Sequence, residues 1–148
     1  MKISFNGKET VNAPVSKVSE FVSNTDKVAS CIPDSSEFKR LGERSFSIKV
    51  SVGVGTIKGT FSISGSFETT GDNQFVYSLS GAGFGNKVAI KLAVMLEPLG
   101  STTLLDWNAD FDISGIISGL GAGIIRKVSE EKIGIIISNV KKALESET

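Results

Sequence analysis

The sequence predicts an α+β protein: a curved, seven-stranded antiparallel sheet that grips one long C-terminal helix, with two short helices near the N-terminus. Three observations carry that prediction. Apolar residues alternate with polar ones along most of residues 35–113, the signature of half-buried strands. The breaks between the alternating runs are short, so consecutive strands pair as antiparallel neighbours. From 115 to 145 the apolar spacing changes to three and four, the period of an amphipathic helix.

The elements follow in order. Ile3, Phe5, Gly7, Glu9 and Val11 share one parity of a first strand, which Asn12-Ala13-Pro14 stops. Pro14 suits the first position of a helix, where its missing N–H costs nothing, and Val15, Val18, Phe21 and Val22 follow at helical spacing. Asn24-Thr25 offers a second N-cap; Val28, Ala29 and Ile32 form the next stripe, and Pro33 ends it. A short strand is expected near Phe38 to Leu41. Phe46, Ile48, Val50 and Val52 mark the next, and Gly53-Val54-Gly55 turns the chain. Ile57, Phe61, Ile63 and Phe67 continue the pattern to the turn at Gly71-Asp72-Asn73. Phe75, Tyr77 and Leu79 precede a loop at Gly81–Gly85. Val88, Ile90, Leu92, Val94 and Leu96 then face one way, and after Pro98–Ser101 so do Leu105, Trp107, Ala109, Phe111 and Ile113. One face of the sheet is polar throughout, so only the other is covered. Its cover is the final helix, with Ile116, Ile117, Leu120, Ile124, Val128, Ile133, Ile137, Val140 and Leu144 turned inward and Lys127, Glu130, Glu131, Lys132, Lys141, Lys142 and Glu145 outward. A curved sheet encloses more space than one helix fills, and the gap is a natural ligand cavity.

Composition narrows the function. The 148 residues fit a single domain, 1–148, with a core large enough to need no staples. Sixteen basic and sixteen acidic residues cancel, which gives no global field for nucleic acid. There is no histidine and one cysteine, Cys31, so Ser-His-Asp and Cys-His catalysis, disulfides and thiolate metal sites are all excluded within the chain. No apolar signal-peptide core opens the sequence, and the apolar stretch at 113–125 is interrupted by glycines and serines; a soluble cytoplasmic protein is expected.

Other patterns carry less. Gly119-Leu120-Gly121-Ala122-Gly123 lacks the second strand and acidic residue of a dinucleotide fingerprint; small residues that bring the helix start close to the sheet, or loosen it as a hinge, are the plainer explanation. Asp106, Asp110 and Asp112 fall on the solvent parity of their strand. Tyr77 and Trp107 each bring one polar atom to an apolar face, where it needs a partner, and in a cavity a ligand oxygen is one. No metal, nucleotide or other cofactor is expected.

These residues also carry a family likeness. Asn12-Ala13-Pro14-Val15-Ser16-Lys17-Val18 resembles the start of the first helix in the START-like (SRPBCC) helix-grip superfamily. Asn24-Thr25-Asp26-Lys27-Val28-Ala29-Ser30-Cys31-Ile32-Pro33 is similar to the segment "D-x-x-x-V-A-x-C-I/L-P-G" of the CoxG family, named for carbon monoxide dehydrogenase, with Asp34 in place of the usual glycine. Val50–Phe61 resembles that family's "V-x-V-G-P-I-x-G-x-F/Y", departing from it at Val54-Gly55-Thr56, and Ile113-Ser114-Gly115 with Leu120-Gly121 is similar to its approach to the last helix. The likeness spans the whole chain. It implies a hydrophobic cavity, and for named members a service to the aerobic molybdenum-containing carbon monoxide dehydrogenase in maturation, membrane attachment or quinone contact. It implies no catalytic residue, since the superfamily has no fixed catalytic set.

The expected function is therefore non-enzymatic binding of a lipid- or quinone-like molecule, with a dehydrogenase partner and transient contact with the inner face of the membrane. The alternatives are a polyketide-cyclase-type enzyme and an interaction domain whose cavity is filled by its own side chains. The expected ligand contacts are Val28, Cys31 and Ile32 from the short helices; Phe46, Phe61, Tyr77 and Trp107 from the strands; and Ile117, Leu120, Gly121 and Ile124 from the start of the last helix. The cavity mouth is expected between that helix start and the two short helices.

Overall fold

The alternating runs form seven strands, β1 (Lys2–Val11), β2 (Ser35–Gly42), β3 (Ser45–Val54), β4 (Ile57–Gly71), β5 (Gln74–Gly83), β6 (Asn86–Leu99) and β7 (Thr102–Gly115). The computed structural model describes residues 1–147. All neighbours are antiparallel, in the order β1-β7-β6-β5-β4-β3-β2. Between β1 and β2 lie α1 (Val15–Val22) and α2 (Thr25–Ser30). Pro14 stands one place earlier than expected, as the N-cap residue of α1, while the Asn24 side chain caps α2 by accepting from the Lys27 N–H at 3.2 Å.

The register is the expected one. Ile3, Phe5, Phe46, Ile48, Phe61, Phe75, Leu105 and Trp107 are buried, and Ile63 and Phe111 half-buried, on the covered face. Trp107 sits opposite Gly7, and a Cβ at Gly7 would lie 2.7 Å from the indole, so only glycine lets the ring lie flat on β1. Asp110 and Asp112 face solvent, where Asp110 accepts from the Ser4 hydroxyl and Asp112 pairs with the N-terminal ammonium.

The C-terminal segment departs from expectation. A single helix from 115 is replaced by a 3-10 turn (Ile116–Leu120) followed by α3 (Ala122–Glu147). Gly115 at φ 110° and Gly121 at φ 93° bracket the turn; neither angle belongs to a helix, and each breaks the helical path. The glycines at 119, 121 and 123 are not there for close packing, because a Cβ at any of them would meet open space. Restarting at Ala122 shifts the inward stripe at the helix start: Ile125 is buried, whereas Ile124 and Ile116 are 46% and 64% exposed, while Val128, Ile133, Ile137, Val140 and Leu144 turn inward as expected. The turn is pinned at one point. Buried Asn86, at the start of β6, accepts the Ile117 N–H at 2.7 Å and donates to the Phe84 carbonyl.

Several polar contacts hold α3 over the sheet. Asn139 donates to the Cys31 carbonyl, Glu145 accepts the Asn12 N–H, and Arg126 lies 5.2 Å from the centre of the Phe5 ring. Lys132 pairs with Asp34 at 2.9 Å and Lys141 with Glu9 at 3.4 Å. Leu144, fully buried, anchors the C-terminal end of the helix.

Candidate functional site

Between the concave face of the sheet and α3 lies a cavity of two lobes, about 210 and 200 Å³. The first is walled by β3, β4, the residues after α2 and the first half of α3: Phe46, Ile48, Val50, Phe61, Ile32, Pro33, Ile125 and Val128 among others, with Ile117 of the 3-10 turn. The second is walled by β1, α1, β7 and the second half of α3, including Val11, Phe21, Leu105, Trp107, Ala109, Ile137 and Val140. Leu79, Ile90, Phe111, Ile133 and Ile136 belong to both walls, and so form a waist between the lobes.

The walls are almost pure hydrocarbon. The second lobe presents no polar atom, and polar groups gather where the walls meet solvent: Ser129 and Lys132 at the first lobe, Glu9 and Lys141 at the second. The two polar atoms that sequence reasoning offers to a ligand are turned away. The Tyr77 hydroxyl donates to the Val22 carbonyl, tying β5 to the end of α1. Trp107 Nε1 is buried without a partner among the described residues while its ring packs on Gly7, so it too shows nothing to the cavity. Such a surface binds by excluding water from hydrocarbon.

Tyr77 yields a direct check. Burial pushes its phenol far above the ordinary value near 10. It is the one tyrosine in the chain, so phenolate absorbance reports it alone. At about pH 11, where an exposed tyrosine is mostly ionised, the native protein should show almost no phenolate. The raised value also means that stability is complete below about pH 10 and falls as pH rises above it, because the unfolded chain then loses a proton that the folded chain keeps. Phenolate that appears well before unfolding, as followed by circular dichroism, would contradict this burial.

The expected contacts divide. Ile32, Phe46, Phe61 and Ile117 line the first lobe, and Val28, Tyr77 and Trp107 the second. Cys31, Leu120, Gly121 and Ile124 line neither. Cys31 is buried, its thiol pushed up by that burial and directed at the Lys27 carbonyl. Leu120 and Gly121 belong to the broken helix start, and Ile124 faces outward because of the phase change there. Sequence reasoning missed the waist and the rim. Leu79, Ile90 and Phe111 share the inward parity of their strands and were legible as facing residues, whereas Lys132 reads as one more solvated charge. Among the described residues no cluster of side chains is suited to a metal, and no helix is long and apolar enough to cross a membrane.

Comparison with solved structures places this architecture. A conserved protein from Geobacillus kaustophilus superposes with a TM-score of 0.88 at 16% identity, over 97% of this chain and 96% of that one. A START superfamily protein from Mycobacterium smegmatis gives 0.75 at 16% identity, over 98% and 99%. The Zhui aromatase/cyclase from Streptomyces sp. R1128 gives 0.69 at 18% identity, over 98% and 94%. At such identities these matches establish the helix-grip fold of START-like proteins and no more. No curated protein matches the sequence. The pattern of one sequence family, however, runs through residues 7–145, almost the whole chain, and by that match the protein belongs to the carbon monoxide dehydrogenase CoxG family.

Proposed function

We propose that this protein is a non-catalytic carrier of a lipid- or quinone-like molecule, a single domain over residues 1–148. Its client in this reading is a molybdenum hydroxylase of the carbon monoxide dehydrogenase type, which the family name supports. The observation that carries the reading is the two-lobed cavity whose polar atoms are all turned away or confined to the rim. The contacts with the ligand are assigned to Val28, Ile32, Phe46, Phe61, Tyr77, Trp107 and Ile117. Cyclase chemistry needs inward acids or bases to orient a ketide, and the walls supply none. Organic extraction of purified protein, with native mass spectrometry, tests the carrier reading: a co-purifying prenyl or acyl compound supports it, and turnover of a ketide overturns it.

We further assign the mouth to the side where the 3-10 turn and the start of α3 face the α2–β2 connection. Gly119 in the 3-10 turn and Gly123 in the first turn of α3 weaken this stretch, a glycine inside a helix costing about 1 kcal/mol relative to alanine. Exposed Ile116 and Ile124 give it an apolar tip, suited to brief contact with the cytoplasmic face of a membrane. Amide hydrogen exchange checks both ideas. Residues 115–125 should exchange faster than 128–144 in delipidated protein, and slow on addition of a prenyl quinone, a fatty acid or anionic vesicles. Uniform protection, unchanged by all three, would sink the mouth and the membrane contact together.

A further inference from the structure

We propose that the ammonium of Lys132 is the head-group site of this cavity. An amphiphile with one chain lies with its tail through the two lobes and its carboxylate or phosphate on Lys132, in the place that the Asp34 carboxylate otherwise takes. The proposal deepens the carrier reading and rests on it.

Neither lobe offers a hydrogen bond to a polar head, so any head must sit at a rim. The two rims differ in charge. At the second lobe Glu9 is a residue of the wall and holds its carboxylate on Lys141 at 3.4 Å, so the lysine there is paired within the rim itself. At the first lobe the wall contains Lys132 and Ser129 and, among the described residues, no carboxylate. The acid that meets Lys132 there, Asp34, lies outside the wall on the α2–β2 connection, with its side chain 61% exposed.

The backbone at Asp34 adds an independent point. Its φ is 57°, in the left-handed region that glycine enters without strain and other residues avoid. An aspartate held in that conformation, with its carboxylate 2.9 Å from the lysine that borders the cavity, acts as a stand-in anion. It neutralises Lys132 between ligands and yields it to one that brings its own charge. Each lobe of about 200 Å³ has the volume of about seven water molecules at ~30 Å³ apiece, and a methylene is of similar size, so a tail of about a dozen carbons reaches past the waist.

The test is a displacement titration with dodecanoate, dodecyl phosphate and neutral dodecanol. Lys132→Gln should weaken both anions about tenfold and leave dodecanol within about twofold. Asp34→Gly removes the competitor and the left-handed aspartate together; it should fold at least as well as the parent and bind both anions several-fold more tightly. A larger loss for dodecanoate in Lys132→Gln identifies a fatty acid head, and a larger loss for dodecyl phosphate a phospholipid-type head. Equal changes for the anions and dodecanol in both variants overturn the head-group site and leave the carrier reading standing. Wild-type protein that binds none of the three overturns both.

Discussion

Leu144→Ala should lower the unfolding free energy by about 2–5 kcal/mol, the cost of an unrelaxed cavity at a fully buried leucine. For a chain of this length that is a fall in melting temperature of roughly 10 °C. The effect is large because Leu144 sits where the helix is most firmly held. Along much of its length α3 roofs the cavity, so its inward side chains have few atoms opposite them. Its C-terminal end is instead packed into the core and tied by the Asn12–Glu145 and Glu9–Lys141 contacts. Ile124→Ala, near the other end of the same helix, should change stability by less than about 0.5 kcal/mol because the side chain already faces solvent. Thermal or urea unfolding of the two variants checks the helix phase. Equal losses would mean that α3 is rotated from the orientation described.

Ile90→Trp should divide the cavity. Ile90 stands in the waist, half-buried, where both lobes share its side chain. The added ring enters free space, so the overpacking cost should stay at or below about 1–3 kcal/mol. Binding is where the change shows. A sixteen-carbon fatty acid loses access to one lobe, about seven methylenes at ~0.8 kcal/mol each, and forfeiting even half of that weakens it about 100-fold. An eight-carbon acid fits one lobe and should lose little. Competition against a fluorescent fatty-acid probe reads both, and unchanged affinity for the longer chain would show that a tail does not cross the waist.

The strands were legible because one physical rule governs them: a sheet with one wet face forces alternation, and Phe46 through Val52 or Leu105 through Ile113 have no other way to satisfy it. From Val128 to Leu144 the helix phase was legible as well, but at the helix start it was not, and the reason is in the residues. Isoleucine occurs in runs at 116–117, 124–125 and 135–137, so two neighbouring phases give equally apolar stripes. What chooses between them is the break at Gly121, and its left-handed φ follows from how the 3-10 turn docks on Asn86, a tertiary event. The site was half legible for a similar reason. Inward parity predicts walls such as Phe61 and Trp107, but a lysine on a helix gives no sign that it lines an apolar cavity until the fold brings the two together.

The strand order has a consequence for synthesis. Every pairing in the sheet joins sequence neighbours except that of β1 with β7, where Lys2 meets Asp112. While a ribosome adds the intervening stretch of about 100 residues at roughly 5–20 per second, β1 waits some 5–20 seconds for its partner. During that interval the apolar side of Ile3, Phe5 and Val11 has no sheet to join. Lys2, Lys8 and Glu9, spaced along the same strand, are then the charges that discourage it from pairing with a neighbouring nascent chain. The last strand made thus completes the first, and the late arrival of β7 sets when the growing polypeptide ceases to be vulnerable to aggregation.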